Sequence, residues 1–304
     1  MAETVLLLGN GVNKINNNSG WDELLKVLHE NFYADTNETF ADIKSKPFPM
    51  VYEQIVMWQL SKGNLKIEKE LKTIIADKTG AIEPNIVHTA VSKGKWKHII
   101  TGNYEFNYMG AYRTEKLKNS GCINETTYSI FRHYEADTKK FWHLHGDINN
   151  VGSINLGYEH YCGQLQKMRE YVTGTYKCRN EELNKKFEKA LLKRRYLNAA
   201  TGYSWLDLFF KDNTTIKIIG LRLDFEEIDL WWLLTYRAKI LHKGKSKENT
   251  PFNNRIKYYI PQKYTTGDFE KKKAFMEKMA IEVIAIDLPE SADYYLAALK
   301  HQAK

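Results

Sequence analysis

Thr4-Val5-Leu6-Leu7-Leu8-Gly9-Asn10-Gly11-Val12-Asn13 decides the fold. Its apolar run is short and unbroken, as a strand buried on both faces of a parallel sheet requires, and a glycine ends it. Residues 98–101 and 141–144 repeat that pattern, and 215–219, 255–260 and 282–286 continue it in the second half. Residues 153–156 read as one more short strand. Helical periodicity separates these runs at 21–32, 50–60, 65–76, 85–93, 106–117, 226–241, 268–279 and 290–299. Ser19, followed by Asp22 and Glu23, is a reasonable start for the first helix. The stretch 159–210 holds no convincing strand and reads as a helical insertion, about 159–211, within a single domain spanning 1–304. Residues 243–251 are polar, end in proline and read as a loop. Strands alternating with helices predict an α/β protein whose open, mostly parallel, doubly wound sheet is covered on both faces.

Composition narrows the class. At 304 residues, 43% hydrophobic and 27% charged, the chain can bury a full core and is not a disordered sequence. Cys122, Cys162 and Cys178 form no C-x-x-C, which argues against a disulfide scaffold or a cysteine-based zinc ribbon and fits a reducing cytosol. The first apolar run is too short for a signal peptide, and no later run is long enough to span a bilayer. The expectation is a soluble, cytoplasmic protein. Its net charge of +8 lies entirely beyond residue 150, mostly in 177–195 and 237–257. Such a surface attracts nucleic acid or an acidic partner, or is only a solvated helix face.

In an open parallel sheet, ligands bind beyond the carboxyl ends of the strands. Here those ends carry Gly9-Asn10-Gly11, Thr101-Gly102-Asn103, His145-Gly146 and Gly220. The glycines of the first turn let backbone approach a pyrophosphate, although a plain strand-to-helix turn looks the same. Asn103 can donate to and accept from a ribose hydroxyl or a water, or it can cap the helix that follows. Glu105 can accept from hydroxyls. His143 and His145, two residues apart on a strand, project to one side and offer two metal ligands, but no third has an obvious spacing. His145, just before glycine at a strand end, suits acid–base work near neutral pH, or is a structural histidine. The Asp229-Leu230-Trp231-Trp232-Leu233-Leu234 run reads as a fully buried helix or as a subunit interface.

In this order and at these separations, Gly9-Asn10-Gly11-Val12-Asn13, Thr101-Gly102-Asn103-Tyr104-Glu105, His143-Leu144-His145-Gly146 and Ile218-Ile219-Gly220-Leu221-Arg222-Leu223-Asp224 resemble the motifs of the SIR2 (sirtuin-like) superfamily. The likeness is closest to the SIR2-like domains of bacterial anti-phage defence systems, and it extends from residue 9 to about 234. It implies a Rossmann-type fold and an NAD+ glycohydrolase that yields nicotinamide and ADP-ribose, the effector of an abortive-infection response. On that resemblance His145 is the general base and Asn103 positions water and ribose. Gly9, Asn10, Gly11, Asn13, Glu105 and Gly220 bind NAD+ as substrate, and no metal takes part. Glu105 stands where the family pattern usually has Asp, and Arg222 where many members have Ser. The zinc module of the protein deacylases needs four cysteines, which this chain lacks, so lysine deacylation is not expected.

The chemistry asks little of the protein. Nicotinamide leaves a pyridinium as a neutral molecule, so the site needs no acid for its departure. It must hold the ribose, shield an oxocarbenium-like centre and place a water. The alternative from another class is a non-hydrolytic NAD+ or ADP-ribose module that signals through a partner; transfer to an acceptor other than water is a third. An NAD+ hydrolase must be gated, so the expected partners are a second copy of the chain or a separately encoded ATPase, nucleic-acid-guided protein or phage sensor.

Overall fold

The computed structural model describes residues 3–15, 21–34, 36–112, 118–119, 121–136, 138–196, 202–245 and 252–301. Among them one sheet holds β1 Glu3–Leu8, β2 His98–Thr101, β3 Lys118–Asn119, β4 Tyr134–Ala136, β5 Lys139–His143, β6 Thr214–Ile219, β7 Arg255–Pro261 and β8 Ile281–Ile286. Their spatial order is β3-β4-β5-β2-β1-β6-β7-β8. From β5 to β8 every pairing is parallel, and β3 and β4 add an antiparallel edge. Without that edge the strands run in chain order 3-2-1-4-5-6, consistent with a Rossmann-like fold. The order reverses between β1 and β6, where Leu8 lies opposite Ile219.

The helices are α1 Trp21–Phe32, α2 Phe40–Lys44, α3 Phe48–Ser61, α4 Ile67–Gly80 and α5 Ile86–Lys93 before β2, then α6 Tyr158–Thr173, α7 Glu181–Phe187 and α8 Leu191–Tyr196 before β6. α9 Ile228–Lys245, α10 Asp268–Lys278 and α11 Ala292–Lys300 follow β6, β7 and β8. Alternate residues of each strand serve opposite faces. Val5, Leu7, Ile100 and Trp142 pack with α6 and α9, whereas Leu6, Leu8, Ile99 and Phe141 pack with α5 and α11. This two-sided burial is why the strands read as unbroken apolar runs. A third core, built on Ile43, Ile55, Leu71 and Ile75, joins α1 to α4.

Several expectations need correction. Residues 153–156 are not a strand: a 3-10 turn, Val151–Ser153, leads into backbone tied to the neighbouring loop, where the Asn155 N–H donates to the His145 carbonyl at 2.9 Å. Residues 107–112 form a 3-10 turn broken at Gly110, whose φ is +58°, rather than an α-helix, and 113–117 lie outside the described residues. So do Ser19 and residues 246–251 of the expected loop, of which 243–245 belong to α9. α9 is not buried all round. Leu230, Leu233, Leu234, Ala238 and Leu241 face the core, while Trp231 is part-exposed and stacks between Phe225 and Phe275.

The basic stretches are not simply surface. The Arg194 guanidinium is fully buried, 4.3 Å from the Tyr171 ring centroid, and donates to the Tyr171 carbonyl. Buried Arg237 grips Asn254, and buried Lys257 pairs with Glu282 at 3.1 Å. Lys185, Lys186, Lys189 and Lys193 are exposed. No described helix is long and apolar enough to cross a membrane.

Candidate active site

β1 ends in a turn that could not exist with side chains. A Cβ on Gly9 would lie 2.4 Å from both the Gly220 carbonyl and Leu221 Cα, and one on Gly11 would lie 2.8 Å from the same carbonyl. Gly220 itself has φ +69°, the left-handed region that favours glycine. The Gly9 and Gly11 N–H groups bond to the carbonyls of Ile219 and Gly220 at 3.0 and 2.8 Å. These glycines therefore bring the first and fourth parallel strand ends together, and their N–H groups are already used there rather than offered to a phosphate.

A cavity of about 230 Å³ opens over these strand ends, and Gly9, Asn10, Asn103, Glu105, His145 and Glu227 are among its walls. A second, of about 440 Å³, shares Asn10, Leu221 and Glu227 with it and carries Lys14, Arg222 and Lys272 alongside the acids Asp224 and Glu290. Gly11 and Gly220 line the second cavity. Asn13 lines neither; it is fully buried behind them and donates to Asn10 Oδ1 at 2.9 Å and Glu105 Oε1 at 3.0 Å. The expected site residues are thus gathered at one edge of the sheet.

Asn103 does not cap a helix. Its Nδ2 donates to Glu105 Oε1 at 3.2 Å, and its N–H is received by Thr101 Oγ1 at 3.0 Å. Glu105, 1% exposed, is held by two amides, one from each of two strand ends.

His143 and His145 part company. β5 stops at His143, whose Nδ1 donates to the Asn103 carbonyl at 2.9 Å and whose Nε2 takes the Tyr108 hydroxyl at 2.9 Å. Burial holds this imidazole below its ordinary pKa, and its task is to fix the Asn103 backbone. His145 lies past the strand, where its Nε2 donates to Asp229 Oδ2 at 2.9 Å and its ring meets Tyr161 edge-on. Burial alone would lower the His145 pKa; the Asp229 charge and hydrogen bond outweigh it and raise the value. The two rings do not share a side, and the paired-ligand reading falls with that. Among the described residues no three His, Cys, Asp or Glu side chains are grouped to hold a metal.

Sequence reasoning missed Asp229 and Glu227 as site residues. Asp229 sits in the first turn of α9, its Oδ1 taking the Leu230 N–H, and the acids Glu226, Glu227 and Asp229 opening an apolar helix were the signal available. Burial pushes the Glu227 carboxyl up to about 8, against the pull of His145. Its Oε2 is buried without a hydrogen-bond partner where the two cavities meet. At neutral pH it is therefore largely a neutral acid able to donate one hydrogen bond.

No family model matches the chain, and none of the curated proteins matches it in sequence. The reading of this site stands on its residues.

Proposed function

We propose that the chain is an NAD+ glycohydrolase that releases nicotinamide and ADP-ribose. The observation that supports this best is the joint wall of the smaller cavity: His145 oriented by Asp229, beside Asn103 and Glu105, opening toward a cavity with Lys14, Arg222 and Lys272. On this reading the ribose next to nicotinamide lies against Asn103 and Glu105, and the pyrophosphate meets the three cations. Nicotinamide departs with the electrons of its glycosidic bond. Water then attacks the ribosyl cation and gives its proton to the free nitrogen of His145, and Asp229 steadies the imidazolium. The fold is read as one doubly wound domain over 1–304, with the helices of 159–211 as its insertion.

We read the biological role as the effector of an anti-phage, abortive-infection system in the cytoplasm, gated by self-association or by a separately encoded partner. The binding-only alternative has one observation in its favour, the engagement of Asn103 Nδ2 by Glu105 rather than by open cavity. Incubating wild type and His145→Ala with NAD+, at high protein concentration and with any co-purifying partner, separates the two. Nicotinamide release by wild type, reduced roughly 10²–10⁴-fold in the variant with NAD+ binding kept, is the expected result. Binding without release by wild type supports the alternative, and equal release by both removes His145 from the chemistry.

A further inference from the structure

A third cavity lies at the opposite pole of the sheet. It opens where β2 and β5 begin and α5 ends, and its volume of about 830 Å³ is within the range of sites that hold small ligands. Lys93, Lys95, Lys97 and Lys139 line it, and no described lining residue carries a carboxylate. Lys139 is spent on the helix end, where its Nζ donates to the Ser92 carbonyl. Lys95 and Lys97 lie beyond that helix and are exposed. Glu3, the carboxylate whose charge Lys97 feels, is already bonded by Lys211.

The wall also has hydrogen-bonding capacity. Asn107, 2% exposed, donates its Nδ2 to the Ile82 carbonyl at 2.7 Å, and its Oδ1 is buried without a donor. Ser92 and Thr138 add hydroxyl groups. Clustered ammonium groups ask for an anion of more than one charge, and the unanswered amide oxygen asks for an N–H or O–H donor.

We propose that this cavity is a second ligand site, distinct from the strand-end cleft, that takes a small multiply phosphorylated molecule of nucleotide size. The phosphates sit among Lys93, Lys95 and Lys97, and the donor-bearing part faces Asn107. The inference is independent of NAD+ turnover.

Isothermal titration of the full chain at ~0.15 M salt, a typical physiological strength, tests it with inorganic tripolyphosphate and with ATP as probes. Expected are one saturable site per chain, tighter for ATP than for tripolyphosphate, unaffected by His145→Ala and by excess ADP-ribose. Lys95→Ser combined with Lys97→Ser should weaken binding by roughly tenfold or more, since charge-assisted bonds to the phosphates are lost. Both lysines are exposed, so the fold should persist, which an unchanged circular dichroism spectrum checks. Absence of saturable binding, binding indifferent to the double substitution, or displacement by ADP-ribose overturns the proposal. So does affinity for an oligothymidylate that grows with its length, which would mark a nucleic-acid surface.

Discussion

Asp229 and His145 lie 84 residues apart in the chain and 2.9 Å apart in the fold, joined by a hydrogen bond that both residues bury. The carboxylate fixes which imidazole nitrogen carries the proton. It also opposes the burial that would otherwise lower the His145 pKa.

Asp229→Asn should therefore do two things at once. Turnover of NAD+ should fall by roughly 10²–10⁴-fold, because the amide no longer stabilises the imidazolium. The acidic limb of the pH–rate profile, above the ordinary 6.5 in wild type, should move below it as burial acts unopposed. A profile unmoved by the substitution would show that the limb belongs to another group.

Glu227 offers a test that needs no activity. Its carboxyl is raised from 4.5 to about 8, so folding disfavours the ionised form. The cost is absent below pH 4.5, grows as the pH rises and is complete above about 8. Glu227→Gln should thus leave stability unchanged near pH 4.5 and raise it by about 2 kcal/mol near pH 8.5, a figure reduced for the solvent that reaches the cavity. Urea denaturation at the two pH values reads the difference. A gain of equal size at both would exclude ionisation as its cause.

How much of this was legible beforehand follows from what a linear pattern encodes. The parallel strands announced themselves, since burial on both faces leaves no polar alternation to confuse the reading and glycine marks each critical end. β3 and β4, two and three residues long, carry too few side chains to show a period. Asp229 was visible as a residue but not as a partner, because pairing between α9 and the turn that follows β5 is decided by packing. The same holds for Arg194, which counts as a surface charge until the Tyr171 ring and carbonyl that cover it are seen. His143 failed for a local reason: the strand ends there, so the two-residue period cannot be carried on to His145.

Acid should weaken the fold through two helix starts. His88 Nδ1 accepts the Asn85 N–H at 3.0 Å, and His160 Nδ1 accepts the N–H groups of Leu156 and Gly157 at 3.2 and 3.1 Å. Both imidazoles must stay neutral to accept, and burial lowers each from 6.5 to about 4. Between those values the unfolded chain binds more protons, so stability is lost as the pH falls from 6.5 toward 4, by up to about 1.4 kcal/mol per unit for each histidine. His88→Gln with His160→Gln keeps an acceptor without a titrating group and should flatten that slope in thermal melts. An unchanged slope would place the acid sensitivity elsewhere.

Lys217 holds the end of α11 from inside. Its Nζ donates to the carbonyls of Ala298, Leu299 and His301 at 3.1, 2.9 and 2.7 Å, although burial lowers its pKa to about 8. Lys217→Met should cost about 3 kcal/mol at pH 7, chiefly because three carbonyls lose a charged donor. A urea midpoint within error of wild type would mean that water replaces the ammonium at no cost.

The meeting of Gly9 with Gly220 also sets a timetable for synthesis. A chain leaving the ribosome carries the first turn, Asn103 and His145 long before Gly220 and Asp229 have been made. Until residue 219 emerges, β1, central in the finished sheet, has one flank without its β6 neighbour and is a sticky open edge. A product truncated before residue 220 thus lacks both the Gly220 carbonyl that meets the first turn and the anchor for the imidazole, so whatever the completed cleft does to its ligand begins only once the start of α9 has joined it.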